Sequence, residues 1–365
     1  MQDGSPLHVI FFCGDESPFG RAHLLPLLEE RFSVQAVVVP TAACSQRFRE
    51  RLLGGDINEP RRFRGLVKFQ SLLHHARALL AKGQRPTNPW SALDAVFPRF
   101  RIREVCQERS VPFLEIGDVN SPQILQWLKE QRPDLLFCAA YPQIFGSRLL
   151  ETARIGGVNF HPSLLPRCRG ANPIYWAIAT GEQETGVTAH FMTERLDGGD
   201  IVAQVPIPIA EEDNYWSVYG MALREIPGLV KTVAAFFAEG RARAVPQDER
   251  EATTFREPRQ IHRCLFWALR PAAALVNQVR AGEAFIVARD QHVWVRDAAL
   301  VPTAPILTNS LRVPAGTVIA IGQGVLVVAA NGGGVAIRQA VYRGRKMDGV
   351  SLARCLRLHV GENLS

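Results

Sequence analysis

The sequence predicts an α/β fold: a doubly wound, mostly parallel (Rossmann-like) sheet, followed by a smaller β-barrel-like (OB-like) domain. Three observations carry this expectation. Short apolar runs such as HVIFFCG (8–14), Val34–Val39 and DLLFCAA (134–140) have the composition of strands buried on both faces. Stretches with helical spacing of leucine alternate with them, as βαβ units require. Beyond about residue 262 the chain turns into short alternating segments separated by Gly and Pro, the pattern of a small barrel.

In order, the run 8–14 reads as a buried strand ending in a tight turn, Arg21–Phe32 as a helix, and Val34–Val39 as a second strand. The first loop, GDESPFG, lacks the G-x-G-x-x-G spacing, so no dinucleotide site is expected there. Residues 41–100 interrupt the alternation as a basic insertion. The pattern resumes with a helix at Ile102–Arg109, the strand VPFLEI, a helix at Gln123–Gln131 and the strand DLLFCAA. A helix at Ser147–Ala153, a strand at Gly157–Phe160 and a helix at Pro173–Thr180 follow. ETGVTAHFM and IVAQVPIPI alternate as half-exposed strands, and Tyr215–Glu239 reads as one amphipathic helix. These elements make a first domain of residues 1–240, the one that carries the motifs described below. The polar, proline-broken stretch 241–262 reads as a linker. Residues 263–365 form the second domain, with a helix at Pro271–Ala281 and strands in FIVA, HVWVRDAAL, GTVIAIG, GVLVVAA and GVAIRQAVY.

With 365 residues, 47% of them apolar and 21% charged, two packed domains are expected and disorder is not. No apolar run approaches the length of a membrane span, and the N-terminus lacks a basic n-region before its apolar run. The expected location is the cytoplasm, without membrane association. Seven scattered cysteines form no CxxC pair or Cys/His cluster at zinc-ligand spacing, so free thiols and no metal are expected. The formal net charge is +7. Residues 61–93 contribute Arg61, Arg62, Arg64, Lys68, Arg77, Lys82 and Arg85 and no acid, a surface that would attract an anionic substrate or RNA. Such an insertion beside a site is expected to help select the substrate.

The chemistry lies in GVNFHPSLLPRCRGANPIYWAI and TGVTAHFMTERLDGGDIVAQ. Asn159 and His161 are two apart where a strand ends, so both side chains point to one side. The carboxyl edge of a parallel sheet is where such folds place ligands. Asp197 stands in LDGGD, whose glycines allow a close backbone approach. An amide donor, an imidazole and a carboxylate suit acyl transfer to an amine. Asn159 and a protonated His161 would stabilise the oxyanion, and Asp197 would orient the ring and pass a proton through a water. None of the three is expected to act as a nucleophile, so transfer would be direct.

At these residues the sequence resembles the folate-dependent formyltransferase family, which includes methionyl-tRNA, glycinamide ribonucleotide and amino-sugar N-formyltransferases. The signature is Asn159-x-His161, Ser163–Pro166, Arg169-Gly170 and Leu196–Asp200. The resemblance covers residues 8–40 and 102–240, and the segment from Pro314 onward is similar to the β-barrel domain of the tRNA enzymes. It implies the cosubstrate 10-formyltetrahydrofolate and assigns catalysis to Asn159, His161 and Asp197. It places the pterin against Tyr141, Gln143, Ile144 and Phe145 on one loop and Met192, Glu194 and Leu196 on another.

The expected function is therefore transfer of a formyl group to the primary amine of a small or carrier-bound substrate, such as an amino-sugar nucleotide or a modified amino acid. Methionyl-tRNA formyltransferase, with tRNA as partner, is the alternative, supported by the basic insertion and the barrel. A deformylating hydrolase and a non-catalytic binding protein are the remaining readings. Monomer and dimer stay open.

Overall fold

The structure is a computed structural model that describes residues 6–14, 17–46, 101–239, 244–302 and 313–364. Most of the basic insertion, with Arg61, Arg62 and Arg64, lies outside the described residues. Two compact units divide them. One takes in residues up to Pro173, Glu184–Pro208 and Trp216–Glu257; the other takes in Ile174–Gln183, Ile209–Tyr215 and Pro258 onward.

The first unit is built on a seven-stranded sheet. Its strands are β1 (Leu7–Cys13), β2 (Phe32–Pro40), β3 (Phe113–Ile116), β4 (Leu135–Ala139), β5 (Gly156–His161), β7 (Glu184–Phe191) and β8 (Ile201–Pro208), in the order β3-β2-β1-β4-β5-β7-β8. Pairings from β3 through β5 are parallel, and β7 and β8 join antiparallel. The predicted doubly wound, mostly parallel sheet is thus present. The central strands are apolar at nearly every position because both faces are covered. On one face Ile10, Phe12, Val38, Leu136 and Cys138 join Leu128 of the helix Pro122–Gln131 and Leu149 of the short helix Ser147–Leu150.

Phe11, Phe137 and Phe160 are also fully or almost fully buried, and their rings approach one another or His23 of the helix Pro18–Glu29. That helix starts earlier than its leucine spacing indicates. Ser17 caps it by accepting from the Gly20 N–H, and Pro18 needs no donor in the first turn. The helices at Pro173–Thr180 and Tyr215–Glu239 fall where the sequence puts them. Among the described residues no helix is long and apolar enough to cross a membrane.

A two-stranded ladder was not legible in the sequence. β6 (Arg169–Gly170) pairs in parallel with β9 (Thr254–Phe255), which belongs to the stretch read as a linker.

The second unit is an antiparallel sheet of β10 (Ala284–Ala288), β11 (Gln291–Val301), β12 (Val318–Gly322), β13 (Val325–Ala330), β14 (Gly333–Tyr342) and β15 (Arg345–Asp348), in the order β10-β11-β14-β13-β12. Along one edge β14 pairs first with β13 and then with β15, so the sheet changes partner part-way as a barrel-type sheet does. Leu275 of the helix Ala272–Ala281 and Leu352 of the helix Gly349–Leu356 are fully buried in its core with Val293, Val328, Val335 and Ile337.

Candidate active site

Sheet register assembles the site inside the first unit. Asn159 and His161 lie two apart on β5, so both face the same side of the sheet. Antiparallel pairing sets Asn159 opposite His190 and His161 opposite Thr188. Asp197, on the loop between β7 and β8, meets this row at φ +49°, a left-handed backbone that Asp tolerates better than most residues.

The Asp197 carboxylate is the hub. One oxygen accepts from the Gly170 backbone N–H at 2.9 Å and lies 3.7 Å from His161 Nδ1. The other accepts from Asn159 Nδ2 at 3.3 Å and lies 3.5 Å from His190 Nε2. The carboxylate is only 10% exposed. Burial alone would push its carboxyl up. The charge of His161, the hydrogen bond and charge of His190 and the Gly170 N–H outweigh that and hold it well below the usual carboxylate range. Asp197 is therefore ionised at neutral pH.

Hydrogen bonding sets how the imidazoles face this anion. His161 Nε2 donates to the Cys168 carbonyl at 2.9 Å, which fixes a proton on that nitrogen. A neutral ring would then turn the Nδ1 lone pair toward Asp197, whereas a protonated ring offers it an N–H. His190 Nδ1 donates to the Phe191 carbonyl at 2.9 Å; its Nε2 lies 3.2 Å from Asn159 Nδ2, so a neutral ring accepts there from Asn159, whereas a protonated ring turns an N–H to Asp197. Both Asn159 N–H groups thus point inward. The residue is half-exposed, and its oxygen has no partner among the described residues. Those two bonds are at the long end of the hydrogen-bonding range, so one N–H can turn to a developing oxyanion.

The three residues expected from the sequence are brought together, and His190 joins them as one that sequence reasoning missed. Its only signal was its place on the same alternating face as Thr188 in TGVTAHFM. In LDGGD, Gly199 lies hard against the protein's own backbone. A Cβ on Gly199 would sit 2.0 Å from the Phe191 carbonyl oxygen, so the protein's own backbone fills that space. Gly199→Ala is expected to cost about 2 kcal/mol or more in urea unfolding, because backbone must move to admit the methyl. A variant as stable as wild type would show that the loop is not held that closely.

The segments expected to meet a flat ring differ among themselves. Tyr141 is half-buried, edge-on to Phe12 and Phe145, and its buried hydroxyl has no partner among the described residues. Phe145 belongs to the core, and Met192 packs against it. Gln143 braces its own loop, accepting from Val119 N and donating to the Gly117 carbonyl and Cys44 Sγ. Ile144 is 76% and Leu196 55% exposed, and Glu194 is exposed. An orphaned hydroxyl and two uncovered apolar side chains on these loops fit a planar ligand with a polar edge. Among the described residues no cluster of His, Cys, Asp and Glu could hold a metal.

Residues 103–226 match the family profile described as Formyl transferase. The methionyl-tRNA formyltransferase of Staphylococcus aureus (strain JH1) is 32% identical over 250 residues, covering 67% of this chain and 78% of the relative. The chain belongs to the formyl transferase family. Solved structures extend the likeness of fold to both units. The sugar 3N-formyltransferase WlaRD, crystallised with dTDP and 5-N-formyl-THF, aligns with a TM-score of 0.56 at 12% identity, over 94% of this chain and 98% of its own. The N-formyltransferase of Helicobacter canadensis, in complex with folinic acid and dTDP-3-aminofucose, aligns with a TM-score of 0.58 at 13% identity, over 91% and 99%. The Asn159-x-His161 and Leu196–Asp200 segments of this formyltransferase lie inside the matched region.

Proposed function

We propose that this formyltransferase moves the formyl group of 10-formyltetrahydrofolate directly onto the primary amine of a small or carrier-bound substrate, with Asn159, His161 and Asp197 as its catalytic residues. The observation that carries this reading is the convergence of an amide, an imidazole and a buried, ionised carboxylate at the end of β5. When the amine nitrogen bonds to the formyl carbon, Asn159 and His161 donate to the oxygen that becomes negative. The bond from that carbon to the folate N10 then breaks. Asp197, through a water molecule, carries the proton lost by the amine to the departing N10. Tyr141, Ile144 and Leu196 are the residues we assign to the folate ring, with Gln143, Phe145, Met192 and Glu194 shaping the loops that present them. The tetrahydrofolate-type ligands named for the two structural relatives support the choice of formyl donor.

Two observations favour a second reading, in which the amine belongs to methionyl-tRNA. The curated relative at 32% identity carries that name. In addition, residues 258–365 hold thirteen Lys and Arg against five Asp and Glu, so this part of the chain, like 61–93, carries a net positive charge. The second unit alone does not decide, since sugar N-formyltransferases align along nearly their whole length.

The test is to incubate the protein with 10-formyltetrahydrofolate and a panel of amino-sugar nucleotides, amino acids and methionyl-tRNA, and to score gain of one formyl group by mass spectrometry. A small amine is expected to be formylated with a shallow salt dependence. Methionyl-tRNA as the preferred substrate, its affinity falling steeply between low and physiological salt, would establish the second reading. No formylated product from any amine would refute both.

A further inference from the structure

The stretch after the long helix, read from its sequence as a linker, crosses both loops that carry the site. Val245 bridges to Ile201, Gln247 reaches the Asp197 loop, and Thr253–Phe255 runs beside Cys168–Gly170. The Gln247 side chain has every polar position filled. Its nitrogen donates to the Asp197 carbonyl at 2.8 Å and to the Gly199 carbonyl at 2.7 Å. Its oxygen accepts from Arg169 Nε at 3.0 Å and from a terminal nitrogen of the same guanidinium at 2.7 Å.

Arg169 is 6% exposed at its side chain and also forms a two-pronged pair with Glu249, at 3.0 and 3.2 Å. Glu249 in turn binds Arg195, two residues before Asp197, at 2.7 Å. At the other end of the stretch, Thr253 Oγ1 accepts from Cys168 N at 2.9 Å, and the Thr253 carbonyl accepts from Arg169 N at 2.9 Å. Cys168 is the residue whose carbonyl holds His161 Nε2.

We infer that residues 245–255 are a positioning strap for formyl transfer: Gln247 sets the place of the Asp197 carboxylate, and Thr253, through Cys168, sets the His161 ring. A carboxamide is the only side chain of this length that satisfies two carbonyls and a guanidinium at once, because it supplies two donors and an acceptor from one planar group. Gly170 completes the strap's fit. Its φ is +93°, and a Cβ there would meet the Phe255 carbonyl oxygen at 2.1 Å, so the strap lies against bare backbone beside the N–H that binds Asp197. Gln247 touches neither the amine nor the formyl group. It acts through Asp197, in the way that partners of a functional group orient it and typically change activity about 10- to 100-fold when removed.

The inference rests on the proposed reaction, so its test has one arm that needs no turnover. In Gln247→Ala, kcat for formyl transfer is expected to fall about 10- to 100-fold while KM for 10-formyltetrahydrofolate stays within about threefold. Gln247→Glu keeps the size but sets a carboxylate against two carbonyl oxygens, and is not expected to rescue. Arg250→Ala, on the same stretch but with its side chain bonded, among the described residues, to the exposed Asp248 alone, should keep wild-type kcat. In the second arm, the wild type and Gln247→Ala are labelled with carboxyl-carbon-13 aspartate and titrated by NMR. The Asp197 carboxyl is expected to titrate closer to an ordinary aspartate in the variant, because it moves away from His161 and Gly170 N–H. A merely structural residue would lower the unfolding midpoint and leave that titration unmoved. Unchanged kcat together with an unchanged Asp197 titration in Gln247→Ala would overturn the strap. If the wild type formylates no amine, the proposed function fails, and the titration still decides the strap.

Discussion

Asp197→Asn is expected to reduce kcat for formyl transfer about 10²- to 10³-fold while the protein remains folded. The substitution is nearly isosteric, and Asn tolerates the φ of +49° as well as Asp does, so backbone strain does not enter. One amide oxygen can still accept from the Gly170 N–H. What disappears is the negative charge 3.7 Å from His161 Nδ1 and the acceptor that receives Asn159 Nδ2. Without it the imidazole loses the partner that favours an N–H at Nδ1, and the amine proton loses its relay. His161→Ala is expected to fall as far, because it removes the donor to the oxyanion itself. Steady-state kinetics with the unfolding midpoint measured alongside would check both. Near-normal turnover by either folded variant would remove that residue from the catalytic assignment.

The fold was legible where burial on two faces left an unmixed apolar run, as in Phe11–Cys13 and Leu135–Ala139. The site was legible where chemistry and sheet geometry coincide within a few residues, as in Asn159 and His161 at the end of β5. His190 was not, because its partnership with Asn159 depends on the register of an antiparallel pair 31 residues apart, and sequence spacing does not encode register between strands. The strap was hidden for another reason. Its contacts are made by Gln247, Glu249 and Thr253, residues that in any exposed segment read as solvated, and prolines and charges around them mimic a flexible link. Its partner Arg169 sits in the signature as one more basic residue, and only the structure pairs it with Gln247 and Glu249. The basic stretch 61–93, prominent in the sequence, lies outside the described residues and is tied to no site here.

His23 should make the first unit sensitive to acid. The ring is fully buried beside Phe11, Phe19 and Phe160, its Nδ1 donates to the Phe19 carbonyl at 2.7 Å, and its Nε2 has no partner among the described residues. Burial pushes its pKa down to about 3, with the Phe19 hydrogen bond opposing, so the folded protein holds it neutral. The unfolded chain has an ordinary histidine at 6.5 and takes up a proton that the folded state refuses. The contribution of the neutral ring is therefore complete above pH 6.5 and is lost as pH falls toward 3, at about 1.4 kcal/mol per pH unit. His23→Leu keeps an apolar side chain of similar size and cannot titrate. At pH 7.5 it is expected to be less stable than wild type by about 1 kcal/mol, having lost the Phe19 hydrogen bond. Carboxylates elsewhere titrate in both proteins and cancel in the comparison. By pH 4.5 the difference should have moved in favour of the variant by about 2.7 kcal/mol, so that His23→Leu becomes the more stable protein. Urea unfolding of the pair at pH 7.5, 6.0 and 4.5 measures this directly. A stability difference that stays constant across that range would mean that His23 is protonated or solvated in the folded protein.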